Sequence, residues 1–291
     1  LMSKHLWMYE GTTEYFANLF QINQGLIGEQ NFYNRMLEKL NFSQRYDDKM
    51  SFTEMSAGIV DEPYQTNYGN VYQKGALINM CLDIIIREES KGEKGILWVM
   101  QNLAKKYGKE KPFKDDELIN EIVEMTYPKV NDFFKNHVEG NTPINYMDYF
   151  AKVGLTMGDT EVPLPSILFK DNKSPFFIPN PDESGTVRYI VDGLNSSIEK
   201  MGLKVGDIFL GLDGKMLPEI KKENASQINQ VFAPSFMWDN DKEFTITIKR
   251  NNEIITLTGI TGAPKAKVTG IVEDINADDY SIKLRNSWLK N

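Results

Sequence analysis

A carboxylate on an otherwise apolar helical stripe is the first feature of this sequence that calls for a chemical explanation. Glu10 stands in Leu6-Trp7-Met8-Tyr9-Glu10-Gly11-Thr12-Thr13-Glu14-Tyr15, on a stripe where Leu6, Thr13, Ala17 and Phe20 recur at helical steps. A carboxylate among such neighbours must be neutral, paired or bound to a cation. Zinc is one way to satisfy it; hydrogen bonds in the core or a solvated helix end are others, and pattern alone leaves the choice open. Tyr72 opens the most apolar segment of the chain. Its phenol can donate to developing negative charge without being charged at neutral pH, and its plainer role is to anchor a buried helix with the hydroxyl at the edge. Asp83 and Arg87, four residues apart, read as a structural ion pair with no catalytic role.

The chain holds two histidines. Five helical residues turn through about 500°, which leaves His5 and Glu10 about 140° apart and unable to share one metal if both are helical. His5 is therefore expected as a solvated or capping residue, and His137 as a cation favouring a helix end before Gly140. One cysteine, Cys81, excludes an internal disulfide and a thiolate cluster.

These residues need helices to position them, and up to about residue 155 the spacing is helical. A first helix is expected from near Leu6 to Gln24, stopped by Gly25, and a second through Phe32, Met36, Leu37 and Leu40. Ser51 to Tyr68 reads as a loop of functional length. Val71 to Arg87 is the most apolar helix, followed by Ile96 to Tyr107, Asp115 to Met125 (with Asp115 and Asp116 as caps) and Val130 to His137. Past Gly154 prolines crowd in and strands are expected at Thr186 to Val191, Ile208 to Leu212, Glu243 to Arg250 and Glu253 to Leu257, with hairpin turns at Asp213-Gly214 and Asn251-Asn252.

Composition narrows the field further. The 291 residues suit two domains, and 41% hydrophobic with 25% charged residues excludes a disordered or fibrous chain. Asp and Glu outnumber Lys and Arg by 41 to 33, a net charge of -8 that disfavours nucleic acid. The longest apolar run, Ala76 to Ile86, is interrupted by Asn79 and Asp83 and is too short to span a bilayer.

Trp7 with Glu10-Gly11-x-Thr13-x-Tyr15, then Tyr72-Gln73-Lys74-Gly75-Ala76 and Leu82-Asp83-x-x-x-Arg87, resembles the glycyl aminopeptidase family of gluzincin zinc metallopeptidases. The resemblance implies a thermolysin-like catalytic domain, peptide substrates, Glu10 as a zinc ligand and Tyr72 as the hydrogen-bond donor to the oxyanion. It also implies export, to the periplasm or cell envelope. The sequence departs from the family in containing no H-E-x-x-H, so neither the two zinc histidines nor the general-base Glu is present. The chain alone is therefore expected to be inactive, a piece of a longer protein whose missing N-terminal part is its partner in the zinc site. A non-catalytic peptide-binding or scaffold protein that keeps the peptidase fold is the alternative.

Asn195-Ser196-Ser197-Ile198-Glu199-Lys200-Met201-Gly202-Leu203-Lys204-Val205-Gly206-Asp207-Ile208, followed by Leu212-Asp213-Gly214-Lys215, resembles a bacterial protease-type PDZ domain. The resemblance implies capture of peptide C-termini by strand addition. Pro175-Phe176-Phe177-Ile178-Pro179 occupies the place of the carboxylate-holding loop and has few free amides, so packing or regulation is an equal reading. Met216 to Phe236 is insertion-like, and Phe232, Phe236 and Trp238 are expected in a core. The whole is expected to be α+β, with a helical half of a thermolysin-like domain over residues 1–158, a β-rich PDZ-like domain over 159–262 and a returning tail over 263–291.

Overall fold

The computed structural model describes residues 2–171 and 173–290. The chain forms two compact units, Leu1–Gly158 with Gly270–Asn291, and Asp159–Thr269. The first is helical and the second β-rich, giving the α+β class expected from the patterning.

The helical unit opens with a single π-helical turn, Trp7–Gly11, that runs into α1 (Thr12–Asn23), which ends before Gly25 at φ +69°. Then come α2 (Glu29–Ser43), α3 (Phe52–Gly58), α4 (Asn70–Glu89), α5 (Ile96–Lys106), α6 (Leu118–Met125), α7 (Pro128–Phe133) and α8 (Tyr146–Lys152). Helix α4 is buried all round from Lys74 to Arg87, so it forms the central post against which α1 and α2 pack. Strand β1 (Leu155–Pro163) follows.

Two expectations fail in this unit for local reasons. The loop expected from Ser51 to Tyr68 contains α3, because Ser51 caps it, its Oγ accepting from the Glu54 amide at 3.3 Å. Asp115 and Asp116 do not cap α6, which starts only at Leu118. Asp115 instead accepts from the Ser3 hydroxyl at 3.0 Å and the Lys4 amide at 3.1 Å, and Asp116 pairs with the Lys4 ammonium.

In the β-rich unit the strands β2 (Phe177–Pro181), β3 (Thr186–Val191), β4 (Ile208–Leu212), β5 (Lys215–Met216), β6 (Ile220–Lys221), β7 (Glu243–Arg250) and β8 (Glu253–Ile260) make one antiparallel sheet. Its main order is β2-β3-β4-β7-β8, with β5 on β4 and β6 on β3. Short helices α9 (Ser196–Lys200) and α10 (Ile228–Phe232) join the core of this unit through Ile198, Val231 and Phe232. Asp213-Gly214 and Asn251-Asn252 turn the β4–β5 and β7–β8 hairpins with positive φ at both residues of each pair. Gly202 ends α9 at φ +91° and sends Leu203 into the core. Phe232 stacks on Phe177 at 4.4 Å and Trp238 lies against Phe244, but Phe236 is 50% exposed, contrary to the core position expected for it.

Strand β9 (Lys265–Glu273) pairs with β1, and α11 (Asp279–Leu289), capped by Asp278, closes onto the helical unit. A buried polar chain fastens α11 there. Trp288 Nε1 donates to the Tyr15 hydroxyl at 2.6 Å, and Tyr15 donates to Asp83 Oδ2 at 2.7 Å. Asp83 Oδ1 accepts from Arg87 Nε and from the Ile96 amide, both at 2.9 Å, so the same carboxylate holds the start of α5. Arg87 in turn donates to the Ser287 carbonyl of α11.

Because Asp83 is fully buried and is the only carboxylate paired with Arg87 among the described residues, Asp83→Ala leaves a buried guanidinium uncompensated. A loss of about 3–5 kcal/mol is expected, read from urea unfolding.

Candidate functional site

Two glycines decide where the candidate side chains meet. A Cβ placed on Gly75 would sit 2.9 Å from Gly11 Cα, and one on Gly11 would sit 2.4 Å from the Gly75 carbonyl carbon. The π-turn and the first turns of α4 therefore touch backbone to backbone, which only residues without side chains permit. Asn79, fully buried, locks the contact: its Nδ2 donates to the Trp7 carbonyl at 2.7 Å and the Gly75 carbonyl at 2.8 Å. Its Oδ1 accepts from Thr12 Oγ1 at 2.8 Å.

Glu10 precedes one glycine and Tyr72 lies three residues before the other, and the contact brings them side by side. Both are half-buried. The Tyr72 phenol is pushed up to about 12, chiefly by hydroxyl contact with Tyr68, then by burial and by the Glu10 carboxylate next to it. Tyr68 stands one helical turn away with its oxygen 3.5 Å from that of Tyr72 and the rings edge to face. Tyr68 was not singled out in the sequence; its spacing of four from Tyr72 is the signal that could have found it.

Neither histidine joins this pair. His5 is fully buried rather than solvated, because aromatic rings and backbone enclose it: Trp7 Nε1 donates to Nδ1 at 3.2 Å, and Nε2 faces the Asp115 carbonyl at 2.7 Å. The indole donor requires a lone pair on Nδ1, so the proton sits on Nε2 and the ring is neutral. His137 is held through Nδ1 by the Thr142 carbonyl at 2.7 Å. Glu10 has no Lys or Arg partner among the described residues, so its carboxylate is free to accept a cation. Among the described residues no three His, Cys, Asp or Glu side chains converge as a metal cluster, and Glu10 has no second ligand of these types grouped with it in such a set.

The stripe expected to bury Glu10 does not do so, since Thr13, Ala17 and Phe20 are exposed and α1 packs through Tyr15, Leu19 and Ile22; Glu10 is instead followed by the polar residues Glu14, Asn18 and Gln21. Glu14 pairs with the buried Lys39 ammonium of α2. Lys74 in the first turns of α4 is likewise buried and paired with Asp48. On another side of the π-turn, Met8 and Tyr9 border an apolar cavity of about 360 Å³ with Leu103, Tyr107 and Phe113.

Comparison with known proteins bears on both the fold and this stretch. The fold is similar to that of the aminopeptidase N family protein from Idiomarina loihiensis, whose structure matches 100% of this chain with a TM-score of 0.53 at 22% identity. The chain spans about half of that protein, 49% of its length. The family model of the M61 glycyl aminopeptidase matches residues 1–78, the segment that carries Glu10, Gly11, Tyr72 and Gly75. No curated protein matches the sequence.

Two measurements check this geometry. Gly→Ala inside a helix ordinarily stabilises by about 1 kcal/mol, so a free α4 would gain from Gly75→Ala. The contact with Gly11 reverses that sign, and a loss of about 1–3 kcal/mol is expected in chemical unfolding. The second concerns His5, whose ring burial holds below its ordinary value of 6.5. The unfolded chain then binds the proton more readily, so stability is complete above pH 6.5 and falls as the pH drops below it. His5→Gln is expected to flatten that part of the pH–stability curve.

Proposed function

We propose that this chain is the helical part of the catalytic domain of a zinc-dependent aminopeptidase, followed by a PDZ-like domain. One observation carries the reading: an unpaired carboxylate and a phenol, on separate elements, are held together by a glycine–glycine contact inside the segment that the family model matches. Glu10 would hold zinc, which polarises the peptide carbonyl and activates water when bound. The two histidine ligands and the general base would come from residues outside these 291. Tyr72 would donate to the oxyanion of the attacked carbonyl, and its raised pKa keeps the proton in place through the whole neutral range. Tyr68 would orient that hydroxyl. The family resemblance further supports peptides with N-terminal glycine as substrates and the periplasm or cell envelope as the location.

For the β-rich unit we favour packing or regulation over capture of peptide C-termini. Phe176 and Phe177 are buried in its core, and the edge strand β2 carries Pro179 and Pro181, which have no amide to give an added strand.

The test is turnover of a glycyl peptide by the natural full-length protein. Tyr72→Phe is expected to lower kcat about 100- to 1,000-fold with KM nearly unchanged. Glu10→Gln is expected to remove activity. Full activity in both variants sinks the assignment of Glu10 and Tyr72, and no turnover by the wild-type protein leaves the scaffold alternative.

A further inference from the structure

Along the polar face of α1 lies an open cavity of about 320 Å³, walled by Glu14 and Asn18 of α1, Arg35, Glu38 and Lys39 of α2, and Gln73, the neighbour of Tyr72. Its charges are unevenly satisfied. Glu14 and Lys39 neutralise one another. Arg35 is half-buried and makes its bonds through one terminal nitrogen to two neutral oxygens, Asn18 Oδ1 and Gln21 Oε1, each at 3.1 Å. Among the described residues no carboxylate pairs with it. A half-buried guanidinium held by neutral acceptors in the wall of a cavity is suited to a planar anion. Glu38 is the opposing charge, and it is exposed to water, which screens it.

We propose that Arg35 anchors the C-terminal carboxylate of short peptide substrates, so that this cavity sets the length of peptide cleaved. The proposal rests on Glu10 and Tyr72 marking the scissile bond. Glu10 in the π-turn and Asn18 in α1 are eight residues apart, and therefore about 12 Å apart along the helical axis and about 80° apart around it. An extended peptide covers that span with about three or four residues, at about 3.3–3.6 Å each. The substrates selected are therefore tetrapeptides and pentapeptides with a free carboxylate, one residue lying before the scissile bond.

The experiment compares glycyl tetrapeptides ending in a free acid or an amide, with the natural full-length protein. The acid is expected to have a kcat/KM about tenfold higher, mostly through KM, since a charge-assisted pair at a half-exposed site gives a discrimination of that order. Arg35→Gln, which keeps the bonds to the α1 amides within reach, is expected to bring acid and amide level by slowing the acid alone. Equal rates for acid and amide in the wild type overturn the proposal, as does an acid preference that survives Arg35→Gln. Calorimetric titration with the same two peptides gives a second readout without turnover. Tighter binding of the acid, lost in Arg35→Gln, supports the anchor even where no cleavage occurs, whereas absence of cleavage by itself counts against the proposed function. Equal heats for the two peptides count against the anchor.

Discussion

The backbone contact between Gly11 and Gly75 is the constraint from which the candidate site follows. A side chain on either residue would overlap the other's backbone, so the π-turn and α4 approach as closely as they do only because both positions are glycine. The approach leaves polar backbone groups buried at the contact, and Asn79 satisfies the Trp7 and Gly75 carbonyls there. With the two backbones fixed, Glu10 and Tyr72 are held side by side from separate elements.

The helical unit spends buried polarity to hold this arrangement from behind. Helix α4 carries Asn79 toward the π-turn and Asp83 toward Tyr15, α5 and Arg87, so one element serves both the site and the docking of α11. Such a fully paired network specifies one packing of these helices, because any other would leave a charge or an amide without a partner. His5 does the same at the entrance to the π-turn, joining Trp7 to the Asp115 carbonyl. Rigid support of this kind suits a site that works by position.

Much of the fold was legible because local chemistry and tertiary structure agree. Asn251-Asn252 and Asp213-Gly214 announce their hairpins, Gly202 its helix end, and the apolar stretch from Ala76 to Ile86 its burial. Helix α3 was missed although Ser51-Phe52-Thr53-Glu54 has the spacing of a capping box, because the surrounding Gly and Pro suggested a loop. His5 was misread since its burial depends on Trp7, Phe113 and Asp115, two of them more than 100 residues away. Glu10 and Tyr72 could be named from the motifs they sit in, but their adjacency could not, because it is set by two glycines 64 residues apart whose contact no periodicity reveals. Arg35 gave no signal at all: a lone arginine on an amphipathic helix stands out only when its neighbours prove to be neutral.

The most direct test of the account is the metal content and ligand set of the natural full-length protein. X-ray absorption of the purified protein is expected to report one zinc per chain with a carboxylate oxygen among its nearest ligands, and Glu10→Gln is expected to lose the metal on dialysis while staying folded. A full complement of zinc in the variant, with an unchanged first coordination shell, would contradict it.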